Sequence, residues 1–270
     1  MGKLCLEPEV ESYAYLICYE IKHRKMATMD HSASIYELSL DQTEMNLQAI
    51  KLALIPFLVK QLDLVSPGDS RSQDQAILTE FLPSTLQAFR PISRAVKCFK
   101  NDTFNLINSL QYATFLYLLS SNLSEAGQKY FYLADRIFLL NKALHGVELY
   151  HKTKLPPVFF ISHGIGSVLG DAHYANNLVF FQNITVGRVG ENRPTLGSQL
   201  IIYPNASITG KSRIGDNCVI SAGVHLHNQT VPDNTIVKIT EGQITFTENR
   251  GNLITQYLDL SVPDKINDLL

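Results

Sequence analysis

The chain has 270 residues, long enough for two domains that each bury a core of their own. Hydrophobic residues make up 45% of it and charged residues 18%, an ordinary globular balance that argues against wholesale disorder. The formal net charge is −2 and the basic residues are scattered, so the composition argues against a nucleic-acid partner.

The cysteines predict the cellular compartment. They are far apart and form no CxxC or CxxH pair: Cys5, Cys18, Cys98 and Cys218. Such a pattern is typical of buried thiols in a reducing environment. No long apolar stretch follows Lys3, so no secretory signal is predicted. We therefore expect a cytoplasmic protein.

The first half of the chain has a helical pattern. Apolar residues recur every three or four positions from residue 9 to about residue 144. Capping boxes at 39–42 and 72–75 predict two helix starts, the first helix running to about Val65, with a loop at 66–70. Further helices are expected over 103–120 and 125–144. We assign residues 1–146 to an all-α N-terminal domain and consider a role in oligomerisation for it.

Residues 104–123 are the most membrane-like stretch. They carry no charge and are about long enough to span a bilayer. However, polar side chains such as Asn108 and Gln111 are costly in lipid. We favour a buried helix, with a membrane span as the alternative.

After Gly146 the helical period stops and a six-residue period replaces it. Aliphatic residues keep this spacing at Leu178 and Ile184, and then, after an interruption, at Leu196, Ile202, Ile208, Ile214, Ile220 and Leu226. Stacked triangular coils explain the period, because each hexapeptide forms one flat side and contributes one aliphatic residue to a shared interior. A β-sandwich would instead require alternation with period two.

The six-residue period therefore predicts a left-handed parallel β-helix over residues 147–240, followed by a C-terminal tail at 241–270. The interruption at 187–195 must leave the coil as an extruded loop. Such loops on rigid solenoids often carry function.

From Glu148 to about Val237 the sequence resembles the serine acetyltransferases, within the hexapeptide-repeat acyltransferases. The resemblance rests on His-Gly-Ile-Gly-Ser-Val-Leu-Gly at 163–170, Gln-Asn-Ile-Thr-Val-Gly at 182–187, and the Arg-Pro of the extruded loop. It implies an acetyl-CoA-dependent O-acetyltransferase that acts on a small hydroxyl acceptor. It also implies a homotrimer with active sites between subunits, or a dimer of such trimers.

The resemblance assigns a catalytic pair. His163 is the family's general base, and Glu148, fifteen positions earlier, matches the acidic residue that orients it, although the family usually has Asp there. Imidazole suits acyl transfer because it can accept the alcohol proton near neutral pH and return it to the leaving thiolate. A carboxylate behind it holds the tautomer.

The acceptor site departs from the family's pattern. Ser162 replaces the Asp that usually precedes the catalytic His and helps to hold the amino acid acceptor. The family's loop usually ends Arg-His-Pro, whereas here it reads Asn-Arg-Pro, beginning at Asn192. Arg193 could still pair with a carboxylate. The acceptor is therefore left open between serine and a sugar or another small alcohol.

Coenzyme A contacts are expected along the coils. Small residues would let the pantetheine arm lie close to the backbone, and a lysine would meet the phosphates: Gly187, Gly210, Ser221, Ala222, Gly223 and Lys238. No metal is expected.

Two other functions remain open. His225 and His227 form an H-x-H pair that, with His173, could hold a catalytic zinc as in carbonic-anhydrase-like hexapeptide proteins. Alternatively, the altered acceptor residues could mark a catalytically degenerate scaffold.

Overall fold

The computed structural model of the protein describes residues 37–40, 44–66 and 71–263. Several predictions concern parts of the chain outside these residues. They are those on Cys5 and Cys18, the absence of a signal sequence, most of the loop at 66–70 and most of the capping box at 39–42.

The first half is helical, as its pattern predicts. Its described residues form four helices, α1 (Glu44–Val65), α2 (Arg71–Ala95), α3 (Ser109–Glu125) and α4 (Phe131–His145), with a short 3-10 helix at Gln128–Tyr130. Because α2 begins at Arg71, the capping box predicted at 72–75 lies inside the helix. Each helix places apolar side chains in one core, among them Leu54, Leu82, Phe115 and Ile137.

Helix α3 contains most of the membrane-like stretch and is a buried helix, as favoured. Eleven of its residues are buried, including the polar Gln111 and Thr114. No helix in the described part of the chain combines the length and the apolar character needed to cross a membrane.

The prediction of a helix over 103–120 is wrong at its start. Asn108 is the N-cap of α3, and its side chain accepts hydrogen bonds from the backbone N–H groups of Leu110 and Gln111. This cap stops the helix from extending further back. The preceding residues form strand β2 (Thr103–Asn105), which pairs antiparallel with β1 (Glu37–Ser39).

The second half is the predicted left-handed parallel β-helix, whose stacked coils form three sheets, one on each side. Sheet I contains β4 (Phe159–Ile161), β7 (Leu178–Phe180), β10 (Leu200–Ile202), β13 (Val219–Ile220), β16 (Thr235–Thr240) and the antiparallel β17 (Gln243–Glu248). Sheet II contains β3 (Glu148–Leu149), β5 (Val168–Leu169), β8 (Thr185–Gly187), β11 (Ser207–Thr209) and β14 (His225–His227). Sheet III contains β6 (His173–Tyr174), β9 (Thr195–Leu196), β12 (Arg213–Ile214) and β15 (Thr230–Val231).

Each coil runs through sheet I, sheet II and sheet III in that order. The aliphatic residues of the six-residue period fill the interior, and all eight are buried to 4% exposure or less. Asn side chains recur at the corners with positive φ, for example Asn177 at 63° and Asn217 at 52° between sheets III and I. Asn tolerates this left-handed conformation better than most residues, so it suits the sharp corners.

The C-terminal segment packs back onto the helical half. After the hairpin of β16 and β17, a 3-10 helix at Leu253–Gln256 leads the chain to the end of α2. There Lys97 N donates to Tyr257 O at 2.9 Å, Asp259 N donates to Ala95 O at 2.7 Å, and Leu258 is fully buried. Residues 241–263, predicted as a tail, thus join the two halves.

Candidate active site

His163 lies on a bulge at the first corner between sheets I and II. Four residues connect the two sheets in the later coils, but six residues, 162–167, connect β4 to β5. Asn183 N donates to Ile165 O at 2.9 Å, as Asn205 N donates to Gln182 O one coil later. The stacked corner position is therefore Gly166, and His163 belongs to the two additional residues that protrude before it.

The bulge gives His163 an unusual environment. Its backbone is left-handed, with φ 54°. A positive φ in a residue other than Gly or Asn is uncommon and often marks a functional site. Its side chain is exposed and makes no hydrogen bond to any described residue. Among the residues that the structure describes, His163 is therefore not hydrogen-bonded to a neighbouring coil.

A cavity of about 330 Å³ lies beside the bulge, where the helical half meets the first coil. Two histidines line it, His163 and His145. The remaining lining residues come from the start of α3, the end of α4 and the bulge: Ser109, Leu110, Ala113, Leu144, Gly146, Val147, Ile161, Gly164 and Ile165. The volume is in the range of small-molecule pockets.

Sequence reasoning did not single out His145. It is the last residue of α4, half-buried, and its Nδ1 lies 2.8 Å from Oδ1 of Asn141. Its ring meets the ring of Tyr112 edge-on at 5.8 Å. Burial lowers the pKa of His145, although a hydrogen bond to the backbone of Asn141 opposes the shift. The available signal was its position, three residues before Glu148 at the start of the β-helix.

Glu148 opens β3 next to the bulge. Its N–H donates to Ser167 O at 2.8 Å, and Gly166 N donates to Gly146 O at 2.8 Å, so the strand is bonded directly to the segment that carries His163. Its carboxylate forms an ion pair with Lys142 of α4 and makes no bond to His163. The assignment of Glu148 as the residue that orients His163 therefore stays a prediction.

The predicted acceptor residues lie at two separate corners. Ser162 is buried at the first corner between sheets I and II, where its N–H donates to Phe180 O at 2.8 Å. Asn192 and Arg193 lie on the extruded loop, between sheets II and III. The loop is closed by Asn192 and Val189, which exchange backbone hydrogen bonds. Within one chain the loop and the bulge are thus at different edges of the β-helix.

Arg193 has a partner of its own. Its guanidinium lies 3.4 Å from the carboxylate of Asp171, which Arg188 also approaches at 3.9 Å. All three side chains are at least 43% exposed, so the cluster is solvated. Surface ion pairs of this kind contribute little to stability and can exchange partners.

Five of the six predicted cofactor residues lie at the same two corners of the β-helix. Ser221, Ala222 and Gly223 lie at the corner between sheets I and II, and a Cβ on Gly223 would meet open space. Gly187 and Gly210 lie at the corner of the extruded loop. A Cβ on Gly210 would lie 2.3 Å from Oδ1 of Asn228 and would require that side chain to move. Lys238 is exposed on β16.

The residues of the zinc alternative, which would bind the metal between subunits, do not meet within one chain. His225 and His227 lie on β14 of sheet II, where their Nδ1 atoms contact the hydroxyls of Ser207 at 2.9 Å and Thr209 at 3.0 Å. His173 lies on sheet III. Among the described residues, no group of three His, Cys, Asp or Glu side chains is placed to hold a metal ion.

Comparison with known proteins finds serine acetyltransferases as relatives. The serine acetyltransferase of Bacillus subtilis is 29% identical over 147 residues, which cover 52% of this chain and 66% of that protein. The serine acetyltransferase of Bacillus licheniformis is 30% identical over 151 residues, which cover 53% of this chain and 69% of that protein. The chain thus spans about two thirds of the length of these relatives. No family model matches it.

Solved structures share the fold. The serine acetyltransferase of Vibrio cholerae aligns with a TM-score of 0.56 at 17% identity, covering 87% of this chain and 92% of that one. Isoform 3 from Entamoeba histolytica, solved in complex with cysteine, aligns with a TM-score of 0.53 at 18% identity, covering 90% of this chain and 96% of that one.

The β-helix of six-residue repeats places the chain among the hexapeptide-repeat proteins, and its similarity to the Bacillus enzymes places it among their acyltransferases. Within that class, the similarity to the Bacillus enzymes shows that the chain belongs to the serine acetyltransferase family. The predicted resemblance, fold and enzyme class are thereby confirmed. Neither the zinc nor the scaffold alternative gains support.

Proposed function

We propose that the protein transfers the acetyl group of acetyl-CoA to the hydroxyl of serine, with His163 as general base. The observation that carries the proposal is the position of His163. It protrudes from the β-helix on a two-residue bulge, makes no hydrogen bond to a described residue, and lines a cavity of about 330 Å³. Membership of the serine acetyltransferase family supplies the reaction and the acceptor.

The reaction follows from what an imidazole can do at that position. His163 takes the proton of the serine hydroxyl as the oxygen attacks the thioester carbonyl. The tetrahedral intermediate collapses, the C–S bond breaks, and the imidazolium returns the proton to the thiolate of coenzyme A. No acyl-enzyme forms.

The bulge also offers donors for the developing oxyanion. The backbone N–H groups of His163 and Gly164 donate to no acceptor among the described residues. Backbone N–H groups held in a rigid turn stabilise a developing negative charge without reorganisation. We assign this role to the Gly164 N–H, next to the base.

Coenzyme A lies, in this proposal, in a groove between neighbouring β-helices of a homotrimer. The placement of the predicted residues supports this, because Ser221, Ala222 and Gly223 share the corner of His163, whereas Gly187 and Arg193 lie at another corner. A neighbouring subunit can bring its corner between sheets II and III to the corner between sheets I and II of its partner. A dimer of such trimers through the helical halves is compatible with the same sites.

The predicted compartment remains part of the proposal. Cys98 and Cys218, the two described cysteines, are free thiols; Cys218 is buried as predicted, whereas Cys98 is exposed. Partial desolvation raises the pKa of both. Free thiols fit a reducing compartment such as the cytoplasm.

The test is thiol release from acetyl-CoA with serine, homoserine and a panel of sugars as acceptors, using wild type and His163→Ala. We expect turnover with serine and a loss of at least about 100-fold in the variant. Equal rates for the two proteins would contradict the role of His163. Turnover only with sugars would leave acyl transfer standing but exclude serine. Metal analysis of the purified protein is the control, since stoichiometric zinc would favour the other enzyme class.

A further inference from the structure

The cavity lacks the group expected to bind the ammonium of an amino acid. In the family, an Asp before the catalytic histidine helps to hold the acceptor, and here that position is the buried Ser162. Among the described residues that line the cavity, none is a carboxylate. Apart from His163, only His145 and Ser109 line it with polar side chains.

The tautomer of His145 is determined by its neighbours. The Nδ2 of Asn141 donates to the carbonyl of Ala113 at 3.0 Å, so Oδ1 is the atom that faces His145. Asn141 is buried, and Oδ1 accepts from Nδ1 of His145 at 2.8 Å. The proton must therefore be on Nδ1, and Nε2 carries a lone pair.

The remaining ring nitrogen is available to a ligand. Nε2 of His145 makes no hydrogen bond to any described residue. Burial lowers the pKa of the imidazole, so the ring stays neutral near pH 7 and keeps its lone pair. The edge-on contact with Tyr112 and the bond to Asn141 hold the ring in one orientation.

We propose that Nε2 of His145 accepts a hydrogen bond from the ammonium group of the acceptor amino acid, in place of the carboxylate that the cavity lacks. This inference rests on the proposed function, because it assumes that the acceptor hydroxyl is presented to His163 in the same cavity. His145 thereby selects amino acids over hydroxy acids of equal size.

A pair of acceptors isolates this contact. L-serine and 3-hydroxypropionate share the hydroxyl and the carboxylate and differ in the amino group. For each protein, the kcat/KM for serine is divided by the kcat/KM for 3-hydroxypropionate. A hydrogen bond to a charged group contributes about 1.5–3 kcal/mol, so His145→Phe should reduce this ratio by about 10- to 100-fold. The KM for acetyl-CoA should not change.

Two variants serve as controls. Leu144→Ala removes an apolar group from the same cavity and should change both acceptors equally, leaving the ratio as in wild type. His145→Gln can present a carbonyl oxygen to the ammonium and should restore part of the ratio. A parallel loss with both acceptors in His145→Phe would show a structural role and overturn the inference.

Failure of the proposed function gives a different result. If wild type acetylates only acceptors without an amino group, acyl transfer stands and the role of His145 is refuted. If wild type acetylates none, the proposed function fails and the inference fails with it.

Discussion

Gly166 and Asn183 stack at one corner of the β-helix so closely that a Cβ on Gly166 would lie 2.1 Å from Oδ1 of Asn183. Gly166 also has a left-handed backbone, with φ 77°. A Cβ at Gly166 would therefore require the Asn183 side chain to move, and the two residues together set where the second coil rests on the first. His163, three residues earlier, is left outside this stack.

Gly166→Ala should destabilise the protein more than Gly223→Ala. Both glycines occupy the same corner with positive φ, at 77° and 74°, so both variants pay for backbone strain of about 1 kcal/mol. Only at Gly166 does the new methyl group meet Asn183, whereas at Gly223 it meets nothing within 4 Å. Urea denaturation measures the difference, which we expect to be about 1–3 kcal/mol. Equal losses would show that the Asn183 side chain can shift to make room.

His163→Asn should abolish activity without destabilising the fold. Asn tolerates the left-handed backbone at φ 54° at least as well as His, and the imidazole supports no described contact. We expect thiol release to fall at least about 100-fold because the base is lost. The melting temperature should stay equal to that of wild type or rise. An active variant, or one that unfolds early, would contradict this separation of roles.

The sequence predicted the repetitive part of the molecule well and the local exceptions poorly. Leu196 to Leu226 repeat one physical requirement, an aliphatic side chain on each side of every coil, and repetition is visible in a single sequence. The bulge at His163 is a two-residue departure from the period, which only the stacking of Gly166 on Asn183 locates. His145 was not predicted because helix packing, which a single sequence does not show, brings Tyr112 to Asn141 and His145.

Glu148→Gln should lower kcat if Glu148 orients His163. The carboxylate is engaged by Lys142, so it must exchange this partner for the imidazole when substrate binds. We expect kcat to fall about 10-fold or more while the KM for acetyl-CoA stays near wild type. Lys142→Met frees the carboxylate and should leave kcat unchanged or higher. If Lys142→Met lowers kcat as much as Glu148→Gln does, the ion pair itself is what matters, and the assigned dyad is wrong.

Asp74→Ala should strongly destabilise the helical half. Asp74 and Arg136 form an ion pair between α2 and α4, with side-chain exposures of 7% and 5%. Removing the carboxylate leaves the buried guanidinium with Asp63, 3.8 Å away, as its acidic partner, so the loss should approach the value of about 3–5 kcal/mol that is typical of a broken buried pair. The exposed pair of Lys154 and Glu125 is the control, and Glu125→Ala should change stability by less than about 1 kcal/mol. Similar losses in chemical denaturation would show that Arg136 finds another partner.

His145 should make the protein sensitive to acid. Its pKa in the folded protein lies below the ordinary 6.5 because the ring is buried, against the opposing hydrogen bond to the backbone of Asn141. As pH falls through 6.5, the unfolded chain takes up a proton that the folded protein resists, so the free energy of unfolding decreases. The ring faces Asn141, Tyr112 and, across the cavity, His163, none of which supplies a compensating negative charge.

In His145→Phe this part of the acid sensitivity is absent. The melting temperature of wild type should therefore fall relative to that of the variant between pH 8 and pH 5, which is about the range where histidine titrates. Since all other histidines are common to both proteins, a constant difference across this range would show that His145 is as easily protonated in the folded protein as in the unfolded chain.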